Sequence, residues 1–340
     1  MTRWFLVAFV SSTLLVTVRI GRIVELITSP SLGAIGTVVV AFALPVAALL
    51  GWRWSRTRAS SATVGVFDRL AAQRSFLVGL GIVVALCVAA VLAPVLTSWD
   101  PNAQPDILGS ATLSPSLLHP FGTDFFSRDV LSRVLHGARW SLGVAGVSVL
   151  LLVVVGTLVG VTAGMAGGAT DVVLMRVVDA GLAMPRILLL LVIAALWGNL
   201  SFLSLATLLG LTSWFGLSRI VRAEVLSLRQ RAFVTAAEAL GTGRRRLITN
   251  HLLPNLAAPI TVTAALGVGH IVLMEASLSY LGVGAPPPDP GWGNIIRDST
   301  DVILTAPWVA FFPGVAIFIT VAGFSLVGDS LRAALNPRTQ

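Results

Sequence analysis

Glu275 is the one acid set well inside an apolar run, and His270 stands five residues before it. Ionisable groups at membrane depth could relay protons or hold a polar solute. A spacing of five puts the two side chains on rather different helix faces, so the alternative for Glu275 is a carboxyl bonded to neighbouring backbone. Asp124, Arg128, Asp129 and Arg133 alternate in sign at spacings that let neighbours pair on a short helix. They read as an outer gate or receptor contact, or as a structural lid cemented by ion pairs. Asp171, Arg176, Asp179 and Arg186 form a third charged group, in which Arg176 and Asp179 are three apart and can pair. His119 has no His or Cys at ligand spacing, so no metal is expected there. No Ser/His, paired-Asp or two-His arrangement stands within the apolar runs, and catalysis by this chain is not expected. All 23 basic residues are arginine. Without lysine the chain has no Walker A loop and no Schiff-base chemistry. Cys87, alone, permits no internal disulfide and reads as packing.

The elements that must position these residues are membrane spans. Hydrophobic residues make up 56% of the chain and charged residues 11%, far below the quarter usual in soluble domains. Candidate spans, each near the length that crosses a bilayer, are 4–20, 31–51, 76–97, 140–164, 183–198, 201–218, 257–281 and 304–327. The first lacks the small-residue cleavage site of a signal peptide. Trp197-Gly198-Asn199 turns the long apolar stretch around it into two spans. The 52–75 and 219–256 loops carry net charges of +4 and +5, whereas 98–139 and 282–303 carry −1 and −2. The arginine-rich loops and both termini are therefore expected in the cytoplasm. The expectation is an all-α polytopic helical bundle of about eight spans. Residues 1–51 form two extra N-terminal helices, 52–75 a basic cytoplasmic linker, and 76–340 a six-span block. Gly156, Gly160, Gly164 and Gly168 are spaced to line one face of a close helix contact.

The loop at about 223–256 is the most informative segment. Ala-rich residues from Arg231 to Leu240 favour helix, Gly241 stops it, and a second helical run from Arg244 closes at Leu253-Pro254. Phe233, Val234, Ala237 and Leu240 are spaced to form one apolar face, which could pack on the bundle or enter a partner's groove. The alternative is an ordinary basic loop.

This loop resembles the EAA loop of binding-protein-dependent ABC transporter permeases. Thr235-Ala236-Ala237, Gly241 and Leu253-Pro254 stand at that family's spacing, with Thr235 replacing its glutamate. His251-Leu252-Leu253-Pro254-Asn255 is similar to the dipeptide, oligopeptide and nickel branch, in its C-type subunit. So are His119 to Asp124 with Ser127 to Arg139 (Ser127 replacing a glycine), Glu275 to Gly284, Pro287 to Gly293, and Gly328 to Arg338 with Asn336 in place of aspartate. The resemblance covers about residues 76–340.

The resemblance implies a type I ABC importer transmembrane domain. Such a chain is one half of a permease heterodimer that imports peptides, served by two ATP-binding subunits and an extracytoplasmic substrate-binding protein. Cofactors would be none on this chain, with ATP and Mg on the partner subunits. The EAA loop would be the coupling helix, placing Thr235, Ala236, Ala237, Gly241, Leu253 and Pro254 at the ATPase, with Arg244, Arg245 and Arg246 as electrostatic support. Its location would be the cytoplasmic membrane, among lipid and without nucleic acid. A nickel or other small-solute importer shares these motifs. A secondary transporter would be expected to show interrupted helices, inverted repeats or several membrane acids.

Overall fold

The computed structural model describes residues 69–106, 109–198 and 200–335. The expected spans at 4–20 and 31–51, and residues 52–68 of the linker, lie outside them. All regular elements among the described residues are helical. In chain order they are α1 (Arg74–Leu96), α2 (Val130–Ala166), α3 (Gly168–Ala183), α4 (Arg186–Trp197), α5 (Phe202–Leu211), α6 (Phe215–Arg229), α7 (Ala232–Ala239), α8 (Arg244–Leu247), α9 (Leu253–Tyr280), α10 (Trp292–Asp298) and α11 (Trp308–Leu335). Four helical stretches are long and apolar enough to cross a membrane, and two bent pairs raise the number to six.

The longest helix, α2, is the spine. At 37 residues it is about 55 Å long, well beyond the hydrocarbon thickness of about 30 Å. It starts ten residues before the expected span at 140–164 because Asp129 caps it, its carboxylate accepting from Ser132 N at 2.7 Å. Three of the four spaced glycines then set its contact with α6. A Cβ on Gly156 would lie 3.0 Å from Leu217, one on Gly160 2.6 Å from the Ser218 carbonyl, and one on Gly164 2.7 Å from Val225. Only hydrogen fits between these backbones. Gly168 does not belong to this face. The chain leaves the helix at Gly167 with φ +64°, and an added Cβ at Gly168 meets nothing within 4 Å. A second close crossing joins α1 to α11, where a Cβ on Gly79 would lie 2.9 Å from the Gly323 carbonyl.

The expected span at 183–198 is corrected. α4 has 12 residues, too few to cross a bilayer by itself, and only together with α3 is it long and apolar enough to do so. The two halves meet at 90°, across Met184-Pro185, since a proline cannot continue the preceding helix's hydrogen bonds. The charged group at Asp171 to Arg186 thus lies on α3 and at the start of α4, on a bent helix pair rather than in a loop. The expected turn at Trp197-Gly198 is present, with Gly198 at φ +76°. The next span, expected at 201–218, runs on to Arg229 and bends by 43° between α5 and α6.

Charges on α3 face α6. Asp171 binds the Arg222 guanidinium through both carboxylate oxygens, and Asp179 pairs with Arg219. The local Arg176–Asp179 pair expected from spacing is not formed; a helix lying alongside offered Asp179 a partner that sequence distance hid.

Candidate functional site

At the arginine-rich end, α7 leaves α6 after a short turn and ends at Gly241. Thr242 N donates to the Ala237 carbonyl at 3.0 Å and Gly241 N to the Glu238 carbonyl at 2.9 Å. This is a Schellman closure, which needs a left-handed residue, and Gly241 supplies it at φ +76°. The chain then reverses into α8. The second helical run does not close at Leu253-Pro254 as expected. It passes through a π-helical turn, Ile248–Leu252, into α9, so that the whole of Arg244–Tyr280 is one long stretch. Pro254 stands just after that π-helical turn, the kind of local departure from α geometry by which a continuous helix accommodates a proline.

The expected apolar face of α7 divides in two. Val234 and Ala237 are buried, while Phe233 is 42% and Leu240 87% exposed. Val234 and Ala237 belong to the main hydrophobic core together with Leu247 and Leu252. α7 is thus anchored by one side and presents Phe233, Ala236 and, at its C-cap, Leu240 on the other, at helical spacing over two turns. Thr235, Ala236, Gly241, Arg244, Arg245 and Arg246 are exposed beside them. Thr235, at the glutamate position of the family pattern, only returns a 3.4 Å hydrogen bond to the Arg231 carbonyl. Leu253 is at the margin of exposure, and Pro254 is partly buried.

At the opposite end, Asp124, Arg128, Asp129 and Arg133 come together, though not on a short helix. They occupy a turn and the first turn of α2. Arg128 Nε meets Asp124 at 2.6 Å, and its Nη2 reaches Asp298 of α10 at 2.8 Å. Arg133 lies 3.7 Å from Asp124 and 3.6 Å from Asp298. Asp129 holds His119 Nδ1 at 2.9 Å. All four side chains are buried, so a protein touching this surface from outside would meet the exposed Leu117, Leu118 and Phe125 instead. Asp298 stands 170 residues from its Arg128 partner, so no local spacing points to it. Ser127 sits at φ +63°, which explains in steric terms the glycine of the family pattern; its hydroxyl donates to the Asp106 carbonyl.

Within the bundle, Glu275 and His270 part company as their spacing implies. Glu275 is fully buried and accepts from Ser279 Oγ at 2.7 Å. Its Oε2, like the buried Ser141 Oγ and Trp140 indole N–H, makes no hydrogen bond. His270 is exposed on the surface of α9. Among the described residues no three His, Cys, Asp or Glu side chains gather as a metal site.

The described residues form a helical membrane bundle that braces one exposed helix at its arginine-rich end. Family comparison makes this specific. Residues 156–340 match the model of the binding-protein-dependent transport system inner membrane component, and residues 61–115 match the N-terminal TM domain of oligopeptide transport permease C. The second match begins inside the stretch read as linker. A dipeptide transport system permease protein of Alkalihalophilus pseudofirmus is 40% identical over 276 residues, 80% of this chain and 88% of that protein. A Brucella suis protein provisionally named a peptide transport system permease is 41% identical over 273 residues, 79% of this chain and 90% of its own. The chain belongs to the binding-protein-dependent permease family, and its fold is the type I ABC importer transmembrane domain. It is a multi-pass membrane protein.

Proposed function

We propose that this chain is the permease subunit of an ATP-driven importer that carries peptides across the cytoplasmic membrane. The relatives named for dipeptide and peptide transport support the cargo class. The observation that carries the mechanism is α7. Val234 and Ala237 fix the helix to the bundle, while Leu240 and Phe233 stand exposed among arginines. An amphipathic helix so placed fits a groove on a cytoplasmic ATPase. Because α8, the π-helical turn and α9 are continuous, a push on α7 is delivered along one rod into the bundle. ATP and Mg belong to two partner subunits, a second permease completes the pathway, and a binding protein delivers cargo on the outer side. The chain itself catalyses nothing in this reading.

The test is reconstitution in lipid vesicles of this chain with a second permease, ATP-binding subunits and a binding protein from the same organism. ATP hydrolysis stimulated by loaded binding protein, together with accumulation of labelled dipeptide, is the expected result. A chain that purifies alone and moves solute down an ion gradient would overturn the reading.

A further inference from the structure

The end of the bundle away from the arginine-rich loop carries an apolar loop tip. Leu117 is 105% and Leu118 66% exposed. The tip is held from two sides. On one, the Trp99 indole donates to the Leu118 carbonyl at 3.3 Å and lies against the His119 ring, with centroids 4.9 Å apart. On the other, the Trp308 indole donates to the Thr123 carbonyl at 3.3 Å, and Phe121 stacks on Phe312 at 3.8 Å. Trp99 stands just past the end of α1, and Trp308 is the first residue of α11. Both helices are long and apolar enough to cross a membrane. Tryptophans at the ends of spans sit at headgroup level, so the loop is stapled at the membrane boundary by both of them. Ser132 Oγ, in the first turn of α2, donates to the Trp99 carbonyl at 2.7 Å, which sets the start of α2 at the same height. From Gly109 to Ser127 the one charged residue is Asp124, and it is buried against Arg128. The surface of the loop therefore carries no charge.

We propose that Leu117 and Leu118 insert into the outer leaflet, making this loop a lipid-anchored wedge beside the outer ends of α1 and α11. Uncharged apolar residues held at headgroup level gain by entering the acyl boundary. A surface built to dock a soluble protein is made otherwise: its anchors are aromatic and arginine side chains within a polar rim, and leucine and serine are scarce among them. Here the leucines protrude from a rim of Ser114, Pro115, Ser116 and Pro120. The wedge has a mechanical consequence. His119, next to the tip, is held by Asp129 at 2.9 Å, and Asp129 caps α2. The wedge thus ties the outer end of the longest helix to the membrane surface. The inference requires α1 and α11 to span the membrane and is independent of the cargo.

The experiment labels residue 117 with an environment-sensitive fluorophore, using the whole chain with Leu117→Cys in a Cys87→Ala background. At so exposed a position the substitution leaves folding unchanged. The labelled chain is reconstituted with cysteine-free partner subunits in vesicles of phosphatidylethanolamine and phosphatidylglycerol. The expected emission is shifted to shorter wavelength and shielded from iodide in the water. It is quenched by lipid carrying a nitroxide near the headgroup, and less by lipid carrying one at the chain end. Loaded binding protein leaves all of this unchanged. Quenching by iodide with none by lipid would put the loop in water and overturn the proposal. Shielding from both quenchers would put it under another protein chain, and shielding from iodide gained only with binding protein would make it the receptor's docking surface; either result also overturns the wedge.

Discussion

Arg139 replaces the helical hydrogen bond that Pro94 removes from α1. Proline has no N–H, so the Ala90 carbonyl loses its helical donor. Arg139 Nε supplies one at 2.7 Å, and its Nη2 donates to the Val91 carbonyl at 2.9 Å. The same contact fixes α1 against α2. A carbonyl stranded within a span has no water to turn to.

Arg139→Met should therefore destabilise the permease by about 2 kcal/mol, the worth of hydrogen bonds to a charged donor. Pro94→Ala in that background should recover part of the loss, because residue 94 then supplies the missing N–H. Thermal unfolding of the four combinations in detergent measures the coupling. Strictly additive losses would show that the two residues act independently.

The glycine contact between α2 and α6 gives a second contrast. Gly160→Ala places a methyl 2.6 Å from the Ser218 carbonyl and should cost about 1–3 kcal/mol through overpacking. Gly314→Ala, in α11 with nothing within 4 Å of the new Cβ, should be neutral or stabilising by up to about 1 kcal/mol. Melting temperatures of the two variants should move apart. Equal shifts would mean that the close approach of α2 and α6 is not what holds them together.

The parts of this structure legible in the sequence are those set by local pattern. Apolar runs located α1, α2, α9 and α11, glycine spacing found three of the four contact positions on α2, and Gly241 marked the turn after α7. What the sequence concealed depends on neighbours remote along the chain. Asp298 completes the Arg128 and Arg133 cluster from α10, and Arg219 takes Asp179 from the local partner that spacing suggested. The helix α3 was hidden because its two acids look like loop residues until Arg219 and Arg222 of α6 pair with them. The apolar residues of α7 share a period, but only Val234 and Ala237 turn inward, into the core that also holds Leu247 and Leu252.

The buried cluster near the start of α2 should respond unequally to loss of its two acids. Asp124→Ala removes a 2%-exposed carboxylate from Arg128 and Arg133 and should cost roughly 3–5 kcal/mol, since it leaves buried charge uncompensated. Asp298→Ala should cost less, because that side chain is 31% exposed and water can replace it. Denaturant unfolding of both variants orders them. A larger loss at Asp298 would contradict the placement of the cluster's centre at Asp124.

Residues 234 and 240 separate the two sides of α7. Val234→Asp sets a charge in a fully buried position and should destabilise the permease itself by several kcal/mol, on the order of the cost of an unpaired buried charge. Leu240→Asp changes a residue already 87% exposed and should leave the melting temperature within about 2 °C, as surface substitutions usually do. If the two variants lose stability equally, α7 is not braced by Val234.

The most direct measurement of the central claim is co-purification of the Leu240→Asp permease with its ATP-binding subunits, followed by ATP hydrolysis in lipid with loaded binding protein. Leu240 is the apolar tip offered to the ATPase. The variant should fold, insert and pair with the second permease, yet hold the ATP-binding subunits more than about tenfold less tightly, the effect of removing an interface anchor, and lose stimulated hydrolysis with them. Retention of the ATP-binding subunits at wild-type level, with full stimulation, would show that α7 is not the coupling element.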